Sequence, residues 1–98
     1  MAFQIVWTEK ANIERQHILQ FWVDHNKSKT FSLKLNKLFI SSIREIAKRP
    51  SIGRKTEFDN VRIKIVREYL VLYEVIKNDL VILSVWDGRR DRRTLKIR

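Results

Sequence analysis

The sequence of 98 residues contains no cysteine, which excludes disulfide bonds, thiolate zinc sites and a cysteine nucleophile. Proline occurs once and glycine twice, while 44% of the residues are hydrophobic, so the composition differs from that of disordered segments. No apolar run approaches the roughly 20 residues that span a bilayer, and the N-terminus has no basic segment before a long apolar one. The sequence therefore predicts one cytoplasmic domain, residues 1–98, stabilised by packing.

Acidic residues are scarce relative to basic ones, with 11 Asp and Glu against 21 Lys and Arg and a formal net charge of +10. The sequence pI is near 10.4, and the basic residues include a tail that begins at about position 87. Such an excess of one charge repels itself and attracts polyanions. The charge therefore predicts a nucleic acid or an acidic protein as partner.

Metal-ligating residues are equally sparse. His17 and His25 lie eight residues apart on one predicted helix, without a carboxylate or cysteine at metal-ligand spacing. The sequence therefore predicts neither a metal nor a cofactor. Trp7, Trp22 and Trp86 occupy positions expected to face the core or its rim, which favours packing over base stacking.

Two helices are predicted in the first half of the chain. The apolar segment 3–7 predicts a short strand, and the Thr8 hydroxyl is the expected N-cap of a helix over about 9–26. Apolar residues recur at helical spacing over 31–46, until Pro50 ends the second helix. Because the link between them is short, the two helices should form an antiparallel hairpin.

Beyond this point the apolar pattern changes to a period of two. The polar residues of 51–60 predict a loop. Residues 61–65 alternate apolar with cationic side chains, which predicts a strand with one face packed on the core. Residues 69–76 and 80–86 are apolar at nearly every position and flank a tight hairpin turn at 77–79. The predicted class is α+β: an N-terminal strand, the helical hairpin and then a three-stranded antiparallel meander, giving four strands in all.

Four segments carry a family resemblance: 5–9 (IVWTE), 61–66 (VRIKIV), 69–75 (YLVLYEV) and 85–91 (VWDGRRD). Each motif alone is weak, but their order and spacing together are more specific. Together with the order of elements they resemble the RelE/ParE superfamily of toxins from bacterial type II toxin–antitoxin systems. The resemblance spans almost the whole chain and implies a RelE/ParE-like fold.

The resemblance implies a growth-arresting toxin that a cognate antitoxin neutralises, with two different targets in the superfamily. RelE-like members are ribonucleases that enter the ribosomal A site and cut mRNA, whereas ParE-like members bind DNA gyrase and are not nucleases. Because the net charge of +10 suits a phosphate-rich site, the predicted function is the ribonuclease, with the ribosome and mRNA as partners, and inhibition of DNA gyrase is the alternative. Leu70, where RelE-like enzymes often have arginine, favours gyrase inhibition. A third alternative is a non-toxic nucleic-acid-binding accessory domain.

In the ribonuclease interpretation the resemblance assigns catalytic roles to Arg62, Lys64 and Arg90, as phosphate contacts that stabilise the transition state. Arg62 and Lys64 are two apart on one strand and should point to the same face. Lys64 as the proton acceptor is a hypothesis, because lysine needs a lowered pKa for that role. The alternative is that these cations merely protect a strand edge from aggregation. The expected nucleic-acid-binding residues are Arg54, Lys55, Arg89, Arg92 and Arg93.

Overall fold

The computed structural model describes residues 2–90 and has two helices packed on one face of a five-stranded sheet. No helix within that range is long and apolar enough to cross a membrane. A short 3-10 turn, Pro50–Ile52, follows the second helix. In chain order the helices and strands are β1 (Gln4–Trp7), α1 (Glu9–Asn26), α2 (Thr30–Lys48), β2 (Arg54–Lys55), β3 (Val61–Val66), β4 (Tyr69–Ile76) and β5 (Asp79–Asp87).

The α+β class and the order of a strand, two helices and then sheet strands are confirmed, but the sheet has five strands and is mixed, where four strands ending in an antiparallel meander were predicted. The sheet order is β1-β5-β4-β3-β2, and the sheet is mixed because β1 runs parallel to β5 while the other neighbours are antiparallel. The segment 51–60, predicted as a loop, contributes β2, which pairs with Arg62 and Ile63 of β3. A strand of two residues is too short to show an alternating pattern.

The helix boundaries follow from local chemistry. The Thr8 hydroxyl accepts a hydrogen bond from the Ala11 N–H at 3.1 Å and donates one to the Ile82 carbonyl at 2.8 Å. Thr8 therefore caps α1 as predicted, and it also fastens the start of α1 to β5. In α2 the fully buried side chains Leu35, Phe39 and Ile43 recur every four residues, which is the spacing of one helical face.

The sheet has an apolar cluster on each face, because β4 alternates between them. Tyr69, Val71 and Tyr73 point to the face that carries the helices, here called the helix face, and pack in one cluster with the buried side chains of α2. Leu70 and Leu72 point the other way and form a second cluster, with Trp86, on what we call the opposite face. Each fully buried side chain of this size contributes roughly 1.5–3 kcal/mol. Side chains of the neighbouring strands can be assigned to a face by their register with β4.

The first turns of α1 cover the part of β5 that β1 leaves open. β1 pairs only with residues 79–82 of β5. Further along, Oε1 of Glu14 accepts hydrogen bonds from the Val85 N–H at 3.1 Å and the Ser84 hydroxyl at 2.9 Å. Lys10 donates to Oε2 of Glu14 at 3.2 Å and to the Ser84 hydroxyl at 3.1 Å. A carboxylate of α1 thus supplies the acceptor that a neighbouring strand would otherwise provide.

Candidate functional site

Two of the predicted site residues, Arg62 and Lys64, lie on the helix face of β3. Their cross-strand partners are Tyr73 and Val71, which both belong to the helix-face cluster. Nη1 of Arg62 donates to the Gly53 carbonyl at 2.8 Å and, more weakly, to the Ser51 carbonyl at 3.3 Å. Nζ of Lys64 lies 3.8 Å from Oε1 of Glu45 on α2. The two side chains therefore share a face, as their spacing predicts.

Arg90 lies on the other side of the sheet. Its guanidinium carbon is 4.5 Å from the centroid of the Trp86 ring, a cation–π distance, and Trp86 packs with Leu70 and Leu72 on the opposite face. The sheet itself therefore lies between Arg90 on one side and Arg62 and Lys64 on the other. The three cations do not converge on one phosphate.

Arg89 is held by carboxylates of the chain itself. Its Nε and Nη2 donate to the two oxygens of Asp87 at 3.1 and 2.9 Å, and Nη1 lies 3.5 Å from Oε2 of Glu68. The hydrogen bond from Arg89 holds the pKa of the Asp87 carboxyl below its ordinary value. Arg92 and Arg93, which the sequence also assigned to nucleic-acid binding, lie outside the described residues.

The two cations of β2 have a different environment. Arg54 and Lys55 are exposed, and neither has an ion pair or a side-chain hydrogen bond among residues 2–90. Lys55 is the direct cross-strand partner of Arg62, so two like charges lie opposite each other. Such an arrangement destabilises a sheet unless an anion lies between the charges.

A cavity of about 570 Å³ opens beside this pair of cations. We call it the β2–β3 pocket; it is formed by the 3-10 turn, β2, the loop 56–60 and the facing residues of β3 and β4. Lys55, Arg62 and Tyr73 all line it. Sequence reasoning did not predict the pocket, because its walls come from segments that only the sheet brings together.

Tyr73 fixes the floor of the β2–β3 pocket. Its hydroxyl accepts a hydrogen bond from the Gly53 N–H at 3.0 Å and donates one to the Pro50 carbonyl. Burial raises the pKa of Tyr73, although the Gly53 hydrogen bond and the charge of Arg62 oppose the shift. The hydroxyl therefore stays protonated at neutral pH and ties the 3-10 turn to β4.

The pocket lining offers donors for an anion but no cluster of metal ligands. Across residues 2–90 there is no group of three or more His, Cys, Asp or Glu side chains placed to hold a metal ion. Asp59 is the one described carboxylate that lines the β2–β3 pocket, and it lies beyond ion-pair distance of Lys55 and Arg62. The arrangement is suited to binding an anionic group.

Comparison with known proteins identifies the family. A family model described as the ParE toxin of type II toxin–antitoxin systems, parDE, matches residues 5–92. A solved structure described as the chromosomal ParDE TA system from P. aeruginosa shares the fold, with a TM-score of 0.78 and 18% sequence identity over 88% of this chain and 96% of that one. No curated protein sequence matches significantly. Because the family model covers most of the sequence, this chain belongs to the ParE family of toxins from type II toxin–antitoxin systems.

Proposed function

We propose that this toxin arrests growth by binding DNA gyrase, and that it does not cut mRNA. A toxin of this family has an antitoxin as its partner. The observation that carries the choice of target is the ParE family match over residues 5–92, because ParE-like members of the superfamily are the ones that bind gyrase. This reverses the preference for mRNA cleavage that the net charge alone indicates.

The geometry of the cations supports binding over catalysis. Cleavage of RNA needs a base, an acid and cations that converge on one phosphate. Nη1 of Arg62 is engaged with two backbone carbonyls, Lys64 faces Glu45, and Arg90 lies across the sheet from both. Leu70 is buried in the opposite-face cluster and supplies no charge to replace the arginine that RelE-like enzymes often have there.

The proposal is tested by induced expression without antitoxin, followed by two assays with the purified toxin. We expect growth arrest, loss of gyrase supercoiling activity and no new ends in primer extension across a translated mRNA. Co-purified antitoxin should restore supercoiling, which serves as the control. Ribosome-dependent cuts with normal supercoiling would overturn the proposal in favour of mRNA cleavage. Normal growth would overturn both and leave the nucleic-acid-binding accessory domain.

One observation favours the second candidate, RelE-like cleavage: Arg62 and Lys64 share a face beside a pocket. The variant Lys64→Ala separates the two candidates. The Lys64 side chain is 29% exposed and its partner Glu45 62% exposed, so this ion pair contributes little to folding. If Lys64 binds the reacting phosphate, the variant loses toxicity. If the toxin instead binds gyrase through a surface that does not include Lys64, inhibition of supercoiling changes by less than about threefold.

A further inference from the structure

The cross-strand cations Lys55 and Arg62 have no acidic partner in the part of the chain that the structure describes. The four ion pairs described for residues 2–90 involve neither of them. Directly opposed like charges cost stability, and the cost rises as water is excluded from around them. Lys64, two residues along β3 from Arg62, shows the contrast, because it faces Glu45. The unpaired cations therefore mark a position where an external anion would be stabilised.

Arg62 is already oriented for such an anion. Hydrogen bonds from Nη1 to the carbonyls of Gly53 and Ser51 fix the half-buried side chain at the pocket wall. Its Nε and Nη2 have no hydrogen-bond partner among the described residues. A planar fork of donors matches the geometry of a carboxylate. Because the side chain is already ordered, binding loses little additional conformational entropy.

The remaining walls of the β2–β3 pocket combine apolar surface with a fixed loop. Phe58, Val61 and Val75 supply apolar contacts, and the Phe58 side chain is 40% exposed. The Thr56 hydroxyl donates to the Val61 carbonyl at 2.9 Å and accepts from the Phe58 N–H at 3.0 Å, which holds the loop in shape. An acidic residue with an apolar one on the same side of the ligand would fill both parts of such a pocket.

The position of β2 at the edge of the sheet indicates what kind of ligand the pocket can bind. β2 is the last strand in the sheet order, and no other strand among residues 2–90 pairs with its outer side. An extended peptide can lie along such an edge and use backbone hydrogen bonds. A nucleic-acid backbone is bound by a row of cations that contact successive phosphates. Lys64 and Arg90 do not extend such a row from Lys55 and Arg62, because Lys64 is paired with Glu45 and Arg90 lies on the opposite face. Lys55 and Arg62 together offer one anion position, which suits a carboxylate.

We infer that the β2–β3 pocket is a docking site for an acidic, extended segment of a protein partner. One carboxylate of that segment lies between Lys55 and Arg62, and an apolar side chain two positions away, on the same side of the segment, contacts Phe58 and Val75. The complementarity of charge with a toxin of net charge +10 is the reason for choosing an acidic protein. This inference does not rest on the proposal about gyrase, since it is argued only from the residues of the β2–β3 pocket.

The test measures binding of a fluorescent peptide to the full chain. In this peptide glutamate and valine lie two positions apart, with threonine between them, so that an extended chain presents both on one side. The analogue with glutamine in place of glutamate is the negative control. Lys55→Gln should weaken binding about threefold, as for an exposed ion pair. Arg62→Gln should weaken it about tenfold, because a charged hydrogen bond at a half-buried site is lost. Arg54→Gln removes the same charge one residue away, on the other face of β2, and should change binding by less than about twofold.

Two results would overturn the inference. Equal weakening by Arg54→Gln and Lys55→Gln would show that the peptide responds only to net charge. Displacement of the peptide by a short oligouridylate, with the same dependence on Lys55, would show that the pocket takes nucleic acid. Each variant is checked by its thermal unfolding. Should Arg62→Gln unfold, Lys55→Glu replaces it and should weaken binding more than Arg54→Glu does. The Lys55 side chain has no ion pair or side-chain hydrogen bond among residues 2–90 whose loss would destabilise the fold. Equal weakening by the two reversals would again show a response to net charge only.

Discussion

Gly53 has to lack a side chain because the Tyr73 hydroxyl occupies the space where a Cβ atom would lie. A Cβ built on Gly53 would be 2.1 Å from that oxygen, far inside van der Waals contact. The same hydroxyl binds the Gly53 N–H and the Pro50 carbonyl, so one aromatic side chain holds the 3-10 turn against β4. This contact also sets the position of the carbonyls that orient Arg62.

We predict that Gly53→Ala destabilises the protein by about 1–3 kcal/mol, the usual cost of overpacking a buried site. The added methyl group must displace the Tyr73 ring or the 3-10 turn. Because Tyr73 and the turn line the β2–β3 pocket, the substitution should also weaken peptide binding there. Urea unfolding measures the first effect. Ser51→Ala, at an exposed neighbour, is the control. Unchanged stability in Gly53→Ala would mean that the Tyr73 contact is not formed.

The two tyrosines give a prediction for alkaline pH. Burial raises the pKa of both Tyr69 and Tyr73 above the ordinary value of 10.0. Because the folded pKa exceeds the unfolded one, their contribution to stability is complete below about pH 10. It is lost as the pH rises through the folded values. The free energy of unfolding should therefore fall above pH 10.0.

Tyrosinate absorbance follows this transition directly, since Tyr69 and Tyr73 are the only tyrosines in the sequence. In the folded protein the absorbance should rise at a higher pH than in the protein unfolded in urea. Tyr73→Phe should retain only the delayed titration of Tyr69 and lose part of the alkaline destabilisation. Identical titration curves in the folded and unfolded protein would contradict a shift at either residue.

At the scale of elements, the contact between α1 and β5 gives the next prediction. In Glu14→Ala the Val85 N–H and the Ser84 hydroxyl lose their acceptor, and a buried donor without a partner costs about 1–3 kcal/mol. Glu14→Gln keeps an acceptor oxygen and should lose less. Gln16→Ala, at an exposed position of α1, is the control. Urea unfolding and amide exchange at Val85 report the loss, and equal exchange in Glu14→Ala and Gln16→Ala would argue against this contact.

Elements with a local signal could be predicted from the sequence, and those that depend on distant partners could not. Thr8 and Pro50 mark helix ends by their own chemistry, and the alternation in 61–65 gives a strand with its cations on one face. The parallel pairing of β1 with β5 joins residues such as Gln4 and Asp79, whose separation leaves no local pattern. β2 is missed because two residues carry no period.

The candidate site divides in the same way. The shared face of Arg62 and Lys64 follows from strand geometry, because alternate residues point to the same side. Arg90 lies in a turn after β5, where its N–H donates to the Asp87 carbonyl. That its side chain reaches the Trp86 ring is seen only in the structure. The β2–β3 pocket also requires the unpredicted strand β2. Strand periodicity therefore gives the direction of a side chain within one element, but not the convergence of several elements.

At the scale of the whole molecule, the net charge of +10 acts against the folded state. Only four ion pairs are described among residues 2–90, each with a side chain at least partly exposed, so attraction compensates little of the repulsion. An acidic partner would relieve this repulsion. Salt screens both repulsion within the free toxin and attraction within the complex. The two states should therefore respond to salt with opposite signs.

We predict that the Tm of the free toxin rises with sodium chloride from low to moderate concentration, while its affinity for an acidic peptide falls. A matched variant tests the cause: Lys34→Glu, Lys37→Glu and Arg44→Glu reverse three exposed cations of α2 away from the β2–β3 pocket. Each reversal removes two charges, so the net charge drops from +10 to +4. With less repulsion to screen, this variant should have a higher Tm at low salt and a flatter salt dependence. A free toxin whose Tm falls with salt would show instead that attractive ion pairs dominate its stability.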